Sequence, residues 1–274
     1  MMKETPFIHE RQVAIAAARC AGAYLRANQR QAAIAQIKSG PHDYATAQDL
    51  GAERLILDVI HERFPDDAIL SEESHAQQSG GERLWVVDPL DGTRNYANGL
   101  PHFAVSIAFC WRGQAVVGVV YVPCEGDELF WAERECGAFL NEQPLQMASP
   151  SKSLSASLVA TGFAYYQGAE LAPHVATLEA VMNVATDVLR LGSAATDISY
   201  VAAGRLGAYY ESGLKPWDVA AAALIVQEAG GIVSDTSGQA LDLFARDGAA
   251  FSLNALVAKN AAIQRQLIEL LATP

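Results

Sequence analysis

The chain has 274 residues, 51% of them hydrophobic, which is ample for a large core in one domain of two lobes or two tightly packed domains. Only 18% are charged, and Ala is abundant, which argues against long disordered segments. The net charge of −12 argues against a general nucleic-acid or anionic-membrane surface.

Residues 1–6 precede an amphipathic, Ala-rich stretch that does not read as a signal-peptide core. No apolar run reaches transmembrane length. Thr5-Pro6 is expected to cap a first helix that carries Ala14, Ala17, Ala21, Tyr24 and Leu25 on one face and runs to about Arg30. A polar connection broken at Ser39-Gly40-Pro41 follows. Thr46-Ala47-Gln48-Asp49 reads as a capping box with Asp in place of the usual Glu. Leu55, Ile56, Val59 and Ile60 give a second helix its buried stripe, and Phe64-Pro65 ends it. Ala68-Ile69-Leu70 is a short strand leading to Ser71-Glu72-Glu73.

The central stretch is Leu84-Trp85-Val86-Val87-Asp88-Pro89-Leu90-Asp91-Gly92-Thr93. Four apolar residues in a row predict a buried strand, expected to stop at Asp88 because Pro89 cannot donate to a ladder. Asp88 and Asp91 are expected to converge at its end. Gly92 and Thr93 then offer backbone N–H groups, with Thr93 opening the next helical turn. Paired carboxylates beside such donors suit a divalent metal carrying a phosphate. The plainer alternative is turn chemistry, Asp-Pro followed by Asp-Gly.

Phe103, Val105, Ile107, Phe109 and Trp111 alternate with small residues, which predicts a strand with one large and one small face. Arg112-Gly113-Gln114 turns the chain, Val116 to Val122 is a second strand, and Glu125-Gly126-Asp127 turns it again before Leu129-Phe130-Trp131. Consecutive hairpins predict an antiparallel sheet with the two early helices on one face. Polar residues 149–153 mark the expected boundary between a lobe of residues 1–148 and one of 149–274.

Beyond it, helices are expected from His174 to Asn183, from Gly192-Ser193-Ala194-Ala195 onward, from Trp217 to Ala229 and after Asn260. Gly230-Gly231 reads as the C-cap of the third of these. Strands are expected at Ala208-Tyr209-Tyr210, ending at Glu211, at Ile232-Val233 and at Leu256-Val257-Ala258. Cys20, Cys110, Cys124 and Cys136 lack metal-type spacing, and three are read as small buried hydrophobes in a reducing cytosol. His75, His102 and His174 show no mutual ligand spacing and are read as structural or exposed.

The run from Trp85 through Asp88-Pro89-Leu90-Asp91-Gly92-Thr93-Arg94-Asn95 to Tyr96 resembles the first signature of the inositol monophosphatase family, which comprises metal-dependent, lithium-sensitive sugar-phosphate phosphatases. Trp217-Asp218-Val219-Ala220-Ala221-Ala222, continuing to Gly230-Gly231, resembles the second; Ala222 stands where glycine is common in relatives. The resemblance spans Val13 to the final helix. It implies an α/β (α+β layered) fold, the five-layer αβαβα sandwich of the inositol monophosphatase and fructose-1,6-bisphosphatase type. It also suggests a homodimer.

The resemblance also implies roles. Glu72 becomes a metal ligand supported by Glu73, although alone the pair reads as a solvated acidic turn. Asp88, Asp91 and Asp218 join it, although Asp218 alone reads as a helix-terminus partner. Two or three Mg²⁺ ions per subunit are expected, one on Glu72, Asp88 and the Leu90 carbonyl and another on Asp88, Asp91 and Asp218; the all-oxygen set suits Mg²⁺. Asp49, otherwise the closing member of a helix cap, would orient Thr93, and Thr93 with Glu72 would activate the attacking water. Phosphate would rest on the N–H groups of Gly92 and Thr93. Gly192, Ser193, Ala194 and Glu211 would touch the hydroxyl-bearing part of the substrate, with Arg190 at the rim and Lys38 peripheral.

The implied activity is hydrolysis of a phosphate monoester, myo-inositol 1-phosphate, by direct attack of a metal-activated water. Thr93-Arg94-Asn95-Tyr96 and the run from Pro101 to Ile107 follow the inositol-phosphatase pattern. A broad-specificity, histidinol-phosphate or sugar-phosphate phosphatase is the alternative within the family. A non-catalytic regulatory protein retaining the fold is the alternative outside it, since some relatives associate with transcription machinery. A cytoplasmic protein with no nucleic-acid or membrane partner is expected.

Overall fold

The computed structural model describes residues 6–32, 34–40, 43–74, 81–147, 153–163 and 171–272. The expected lobe boundary at 149–152, together with Thr5, Pro41 and His75, lies outside them. Helix α1 spans Ile8–Asn28, with Phe7 at its N-cap and no side-chain cap, so it opens after Pro6 and not at Thr5. Ala14, Ala17, Ala18, Ala21 and Leu25 are buried along it, so small side chains let it lie close to the sheet beneath. The connection expected to be polar coil instead forms a hairpin, β1 (Ile34–Gly40) with β2 (Asp43–Thr46). Ile34 and Ile37 are exposed on it, which is why no buried pattern announced it.

Thr46 closes the predicted capping box on α2 (Ala47–Arg63): its side chain accepts from the Asp49 N–H, and Asp49 accepts from the Thr46 N–H. Next come β3 (Ala68–Ser71), β4 (Arg83–Asp91), α3 (Thr93–Ala97), β5 (Ala104–Trp111), β6 (Gln114–Val122), β7 (Glu128–Glu133), β8 (Gly137–Leu140) and β9 (Gln143–Leu145). β3 to β9 form one sheet in sequence order, antiparallel apart from the parallel pair β3–β4.

The remainder runs β10 (Leu158–Thr161), α4 (Leu171–Met182), β11 (Asp187–Leu189), α5 (Ala194–Ala202), β12 (Ala208–Leu214), α6 (Pro216–Glu228), β13 (Ile232–Asp235), the small hairpin β14 (Arg246–Asp247) and β15 (Ala250–Phe251), β16 (Leu253–Ala258) and α7 (Ala261–Leu271). The second sheet has the order β11-β10-β12-β16-β13. Asn260 caps α7 by accepting from the Ile263 N–H.

Period-two patterning explains the stacking. On β5, Val105, Ile107 and Phe109 pack with α1 and α2, while Ala104, Ala108 and Cys110 face a central layer that includes α5 and α6. On β12, Tyr209 faces that central layer, and Ala208 and Tyr210 face the opposite side with Val181 of α4 and Ile263 and Leu267 of α7. The result is the five-layer αβαβα sandwich: α1 and α2, the seven-stranded sheet, α5 and α6, the five-stranded sheet, and α4 with α7. Close approach at the centre needs small residues. A Cβ on Gly118 of β6 would stand 2.5 Å from the Ala221 carbonyl oxygen, so α6 seats directly on the strand. Ala222 is fully buried there, and the missing glycine leaves the packing intact.

Of the cysteines, only Cys110 is buried; Cys20 is exposed and Cys124 and Cys136 are half-buried, so the expectation of three buried thiols is corrected. All four are free. Among the described residues no helix is long and apolar enough to cross a membrane.

Candidate functional site

β4 does not stop at Asp88. It continues through Pro89 and Leu90 to Asp91, with Asp88 paired to Ser106 and Asp91 to Ala104. β4 therefore carries one more residue than β5 across this step, a bulge that accommodates Pro89. The extra residue has a functional consequence. In a regular strand, residues three apart point to opposite faces. The bulge turns Asp88 and Asp91 to the same side.

Asp218 reaches the same place from the first turn of α6. Carboxylate oxygens of Asp88, Asp91 and Asp218 all lie within 4.8 Å of one another. Glu72 follows β3, and its N–H donates to the Val87 carbonyl at 3.1 Å, which fixes it beside β4. Its charge acts on all three aspartates.

Each carboxylate is also held from behind. Asp88 Oδ1 accepts from the Leu90 N–H at 3.0 Å. Asp91 Oδ2 accepts from the Ser193 hydroxyl at 2.6 Å and the Ala195 N–H at 2.7 Å, at the start of α5. Asp218 Oδ2 accepts from the Lys215 N–H at 2.7 Å, so the helix-cap role holds alongside membership of the cluster. Thr93 Oγ1 lies 2.9 Å from Asp49 Oδ1 and 3.1 Å from the Leu90 carbonyl oxygen. Asp49 also keeps its cap role through Thr46, so its two expected roles coexist.

Burial and mutual repulsion dominate the electrostatics. Burial, then the charges of Glu72, Asp91 and Asp218, push Asp88 well above the carboxylate range. Burial and the charges of Asp91 and Glu72 do the same to Asp218. Asp91 rises to about 6 because burial outweighs its bonds from Ser193 and Ala195. Asp49 is likewise lifted by burial to about 6. Such a set resists full ionisation unless positive charge enters. The donors are all oxygens, with no Cys or His among them, and fit a hard divalent cation.

The cluster forms one wall of a cleft of about 490 Å³. Gly92, Thr93, Gly192, Ser193, Ala194 and Glu211 line the rest, with Arg94 and Arg190 also present. Glu72, Asp88, Leu90, Asp91, Gly92, Thr93, Arg190, Gly192, Ser193, Ala194, Glu211 and Asp218 border this space; Glu73 does not, and Asp49 sits behind Thr93, to which it is bonded. Ser193 differs from expectation in one respect, since its hydroxyl bonds to Asp91 and to Thr196. β12 runs on past Glu211 to Leu214 with a register shift against β16, so the glutamate projects from a bulged strand and not from a strand end.

Three features were missed from the sequence. Asn95 Nδ2 donates to the carbonyls of His102 and Leu191, both at 2.8 Å, joining the α3 turn to the loop of Gly192. His102, read from the sequence as structural or exposed, is buried and structural; what was missed is its partners, Glu125 (3.0 Å from Nδ1) and Asp197 (2.9 Å from Nε2). Tyr209 bonds to Glu211. The signal for the last was present, because residues two apart on a strand share a face.

Residues 9–270 match the model of the inositol monophosphatase family. The chain belongs to that family. Among curated relatives, Nus factor SuhB of Haemophilus influenzae is 44% identical over 225 residues, covering 81% of this chain and 84% of the relative. Nus factor SuhB of Escherichia coli is 42% identical over 228 residues, with 82% and 85% covered. The crystal structure of extragenic suppressor protein suhB from Bartonella henselae superposes with a TM-score of 0.86 at 35% identity, covering 96% of this chain and 98% of the other. The inositol monophosphatase of Thermotoga maritima does so with 0.84 at 32% identity, covering 96% and 97%.

Proposed function

We propose that this family member is a Mg²⁺-dependent phosphomonoesterase that hydrolyses myo-inositol 1-phosphate to inositol and phosphate. The observation that carries this reading is the convergence of Asp88, Asp91 and Asp218 beside the Thr93–Asp49 pair in one cleft. Glu72, Asp88 and the Leu90 carbonyl are assigned to one ion, and Asp88, Asp91 and Asp218 to another, with two or three Mg²⁺ per subunit. When bound, Mg²⁺ supplies positive charge that lowers the pKa of water and offsets charge on the phosphoryl oxygens.

The chain's own residues supply the remainder. Gly92 and Thr93 present backbone N–H groups to the phosphate at the opening of α3. Thr93 Oγ1, with Glu72, orients the attacking water, and its proton passes toward Asp49 Oδ1, 2.9 Å away. Asp49, with its affinity for protons raised by burial, is suited to hold it. Attack on phosphorus is assigned directly to water, with Thr93 and its partner Asp49 acting as a water-orienting pair and not as a covalent nucleophile. Glu211 accepts a hydroxyl of the polyol, and Gly192 and Ala194 let it approach. We place the protein in the cytosol as a homodimer, which light scattering of the purified chain tests.

The deciding measurement is phosphate release with Mg²⁺ and with EDTA, across inositol 1-phosphate, histidinol phosphate, fructose 1,6-bisphosphate and NADP(H). The highest kcat/KM on inositol 1-phosphate is expected. A higher value on another member would move the assignment to a broad-specificity, histidinol-phosphate or sugar-phosphate phosphatase, and no release with Mg²⁺ would remove the enzymatic reading.

One observation favours a second reading, a regulatory binding protein retaining the fold. The curated relatives named above carry the name Nus factor SuhB. A variant lacking turnover that still restores growth to a deletion strain would support it.

A further inference from the structure

Glu211 is held in a specific way that the cleft alone does not require. Tyr209 lies two residues earlier on β12 and is only 1% exposed. Its hydroxyl donates to Glu211 Oε2. On the parallel neighbour β10, Gly162 follows the last strand residue, Thr161, whose hydroxyl donates to the Tyr210 carbonyl at 2.8 Å. A Cβ on Gly162 would collide with the Glu211 carboxylate, striking both oxygens and the carbon between them. So the glutamate is clamped: a phenol on one oxygen, and a bare backbone where any other residue would displace it.

The second oxygen is different. Glu211 Oε1 accepts no hydrogen bond from a described residue. Among the described residues the sealed polar atoms without partners are Gln48 Oε1, Ser71 Oγ, Glu133 Oε2 and Tyr210 Oη; Glu211 Oε1 is not one of them. Glu211 lines the same cleft as the acidic cluster. One acceptor oxygen therefore remains for a ligand.

We propose that Tyr209 is a positioning residue that, with Gly162, restricts Glu211 to a single outward acceptor, so that the cleft reads one hydroxyl of a phosphorylated polyol and not a vicinal pair. The inference rests on the phosphomonoesterase reading above and adds how its substrate is selected. An unclamped carboxylate could rotate and accept two neighbouring hydroxyls bidentately. A clamped one selects a substrate by the position of a single hydroxyl relative to its phosphate. Phosphate esters without a hydroxyl gain nothing from it.

The experiment compares Tyr209→Phe and Gly162→Ala with the wild type on inositol 1-phosphate and on 4-nitrophenyl phosphate, which has no hydroxyl. Tyr209→Phe keeps the buried ring and removes only the donor. KM for inositol 1-phosphate is expected to rise about three- to tenfold, the worth of one hydrogen bond, with kcat nearly kept. Both constants for 4-nitrophenyl phosphate should stay within about twofold by the same measure. An unchanged ratio of kcat/KM between the two substrates in Tyr209→Phe would overturn the proposal, as would an equal loss on both.

Binding separates this from the activity itself. Calorimetry of inositol 1-phosphate and of inorganic phosphate, with Ca²⁺ in place of Mg²⁺, reads the clamp without turnover. A selective loss of inositol 1-phosphate affinity in Tyr209→Phe supports it even if the wild type hydrolyses nothing. Equal affinities in variant and wild type overturn it even if hydrolysis is rapid.

Discussion

Thr93 and Asp49 are bonded across 2.9 Å, although one opens α3 and the other closes the cap of α2. The buried carboxyl of Asp49 is thereby tied both to the helix it caps and to the hydroxyl at the cleft. Asp49 is fully buried, so in the proposed mechanism its proton would come by way of Thr93. Thr93→Ala and Asp49→Asn are each expected to lower kcat by about 10²- to 10⁴-fold, the range for a lost proton-transfer group. Mg²⁺ affinity by calorimetry should be largely kept in Thr93→Ala. A parallel loss of metal binding there would count against a water-orienting role.

Asp91 is where the two halves of the site join. Its Oδ2 is held by the Ser193 hydroxyl and the Ala195 N–H, and in the proposed reading its other oxygen would take a cation. Asp91→Asn should abolish turnover, a fall of about 10³-fold or more when a main electrostatic group is removed. The fold should persist by circular dichroism. Near-normal activity with Mg²⁺ present would show that the ligand assignment is wrong. Ser193→Ala should be milder, since the Ala195 N–H remains.

Glu211 gives a pH signature. Burial raises it from 4.5 to about 7 in the folded chain, partly offset by the Tyr209 bond. The folded state then holds a proton that the unfolded state has released between those values, so stability falls as pH rises through that window. In EDTA, Glu211→Gln should therefore gain melting temperature relative to the wild type between pH 5 and pH 7.5. Parallel curves for the two proteins would contradict this.

His102 matters to stability and not to chemistry. Burial pulls its proton affinity down, but the Asp197 bond and the charges of Asp197 and Glu125 outweigh that and the net shift is upward. Removing the ring leaves Asp197, at 1% exposed, without its partner. His102→Ala should cost about 3 kcal/mol in urea unfolding, as for other broken buried pairs. Activity per folded molecule should change little.

What could be read from the chain beforehand follows physical lines. The Asp88–Thr93 stretch and Trp217-Asp218 were legible because their residue types and spacing are themselves the chemistry. β5 was legible because its alternation matches its two buried faces. The β1–β2 hairpin was not, since its isoleucines face outward and no stripe marks it. The continuation of β4 past Pro89 was missed because proline normally ends a ladder, and only a bulge makes room for it. The His102–Asp197 and Asn95–Leu191 links join segments that sequence distance keeps apart, and no local pattern encodes them.

The acidic cluster draws one member from the first turn of α6 and the others from β4, far earlier in the chain. A ribosome must therefore release most of the protein before any cation can settle there. Ion capture would come late in biogenesis, reporting that both sheets have closed around their shared helices. Shortened products lacking α6 would have no such anchor, and a titration of Mg²⁺ against truncated chains would distinguish finished molecules from partial ones.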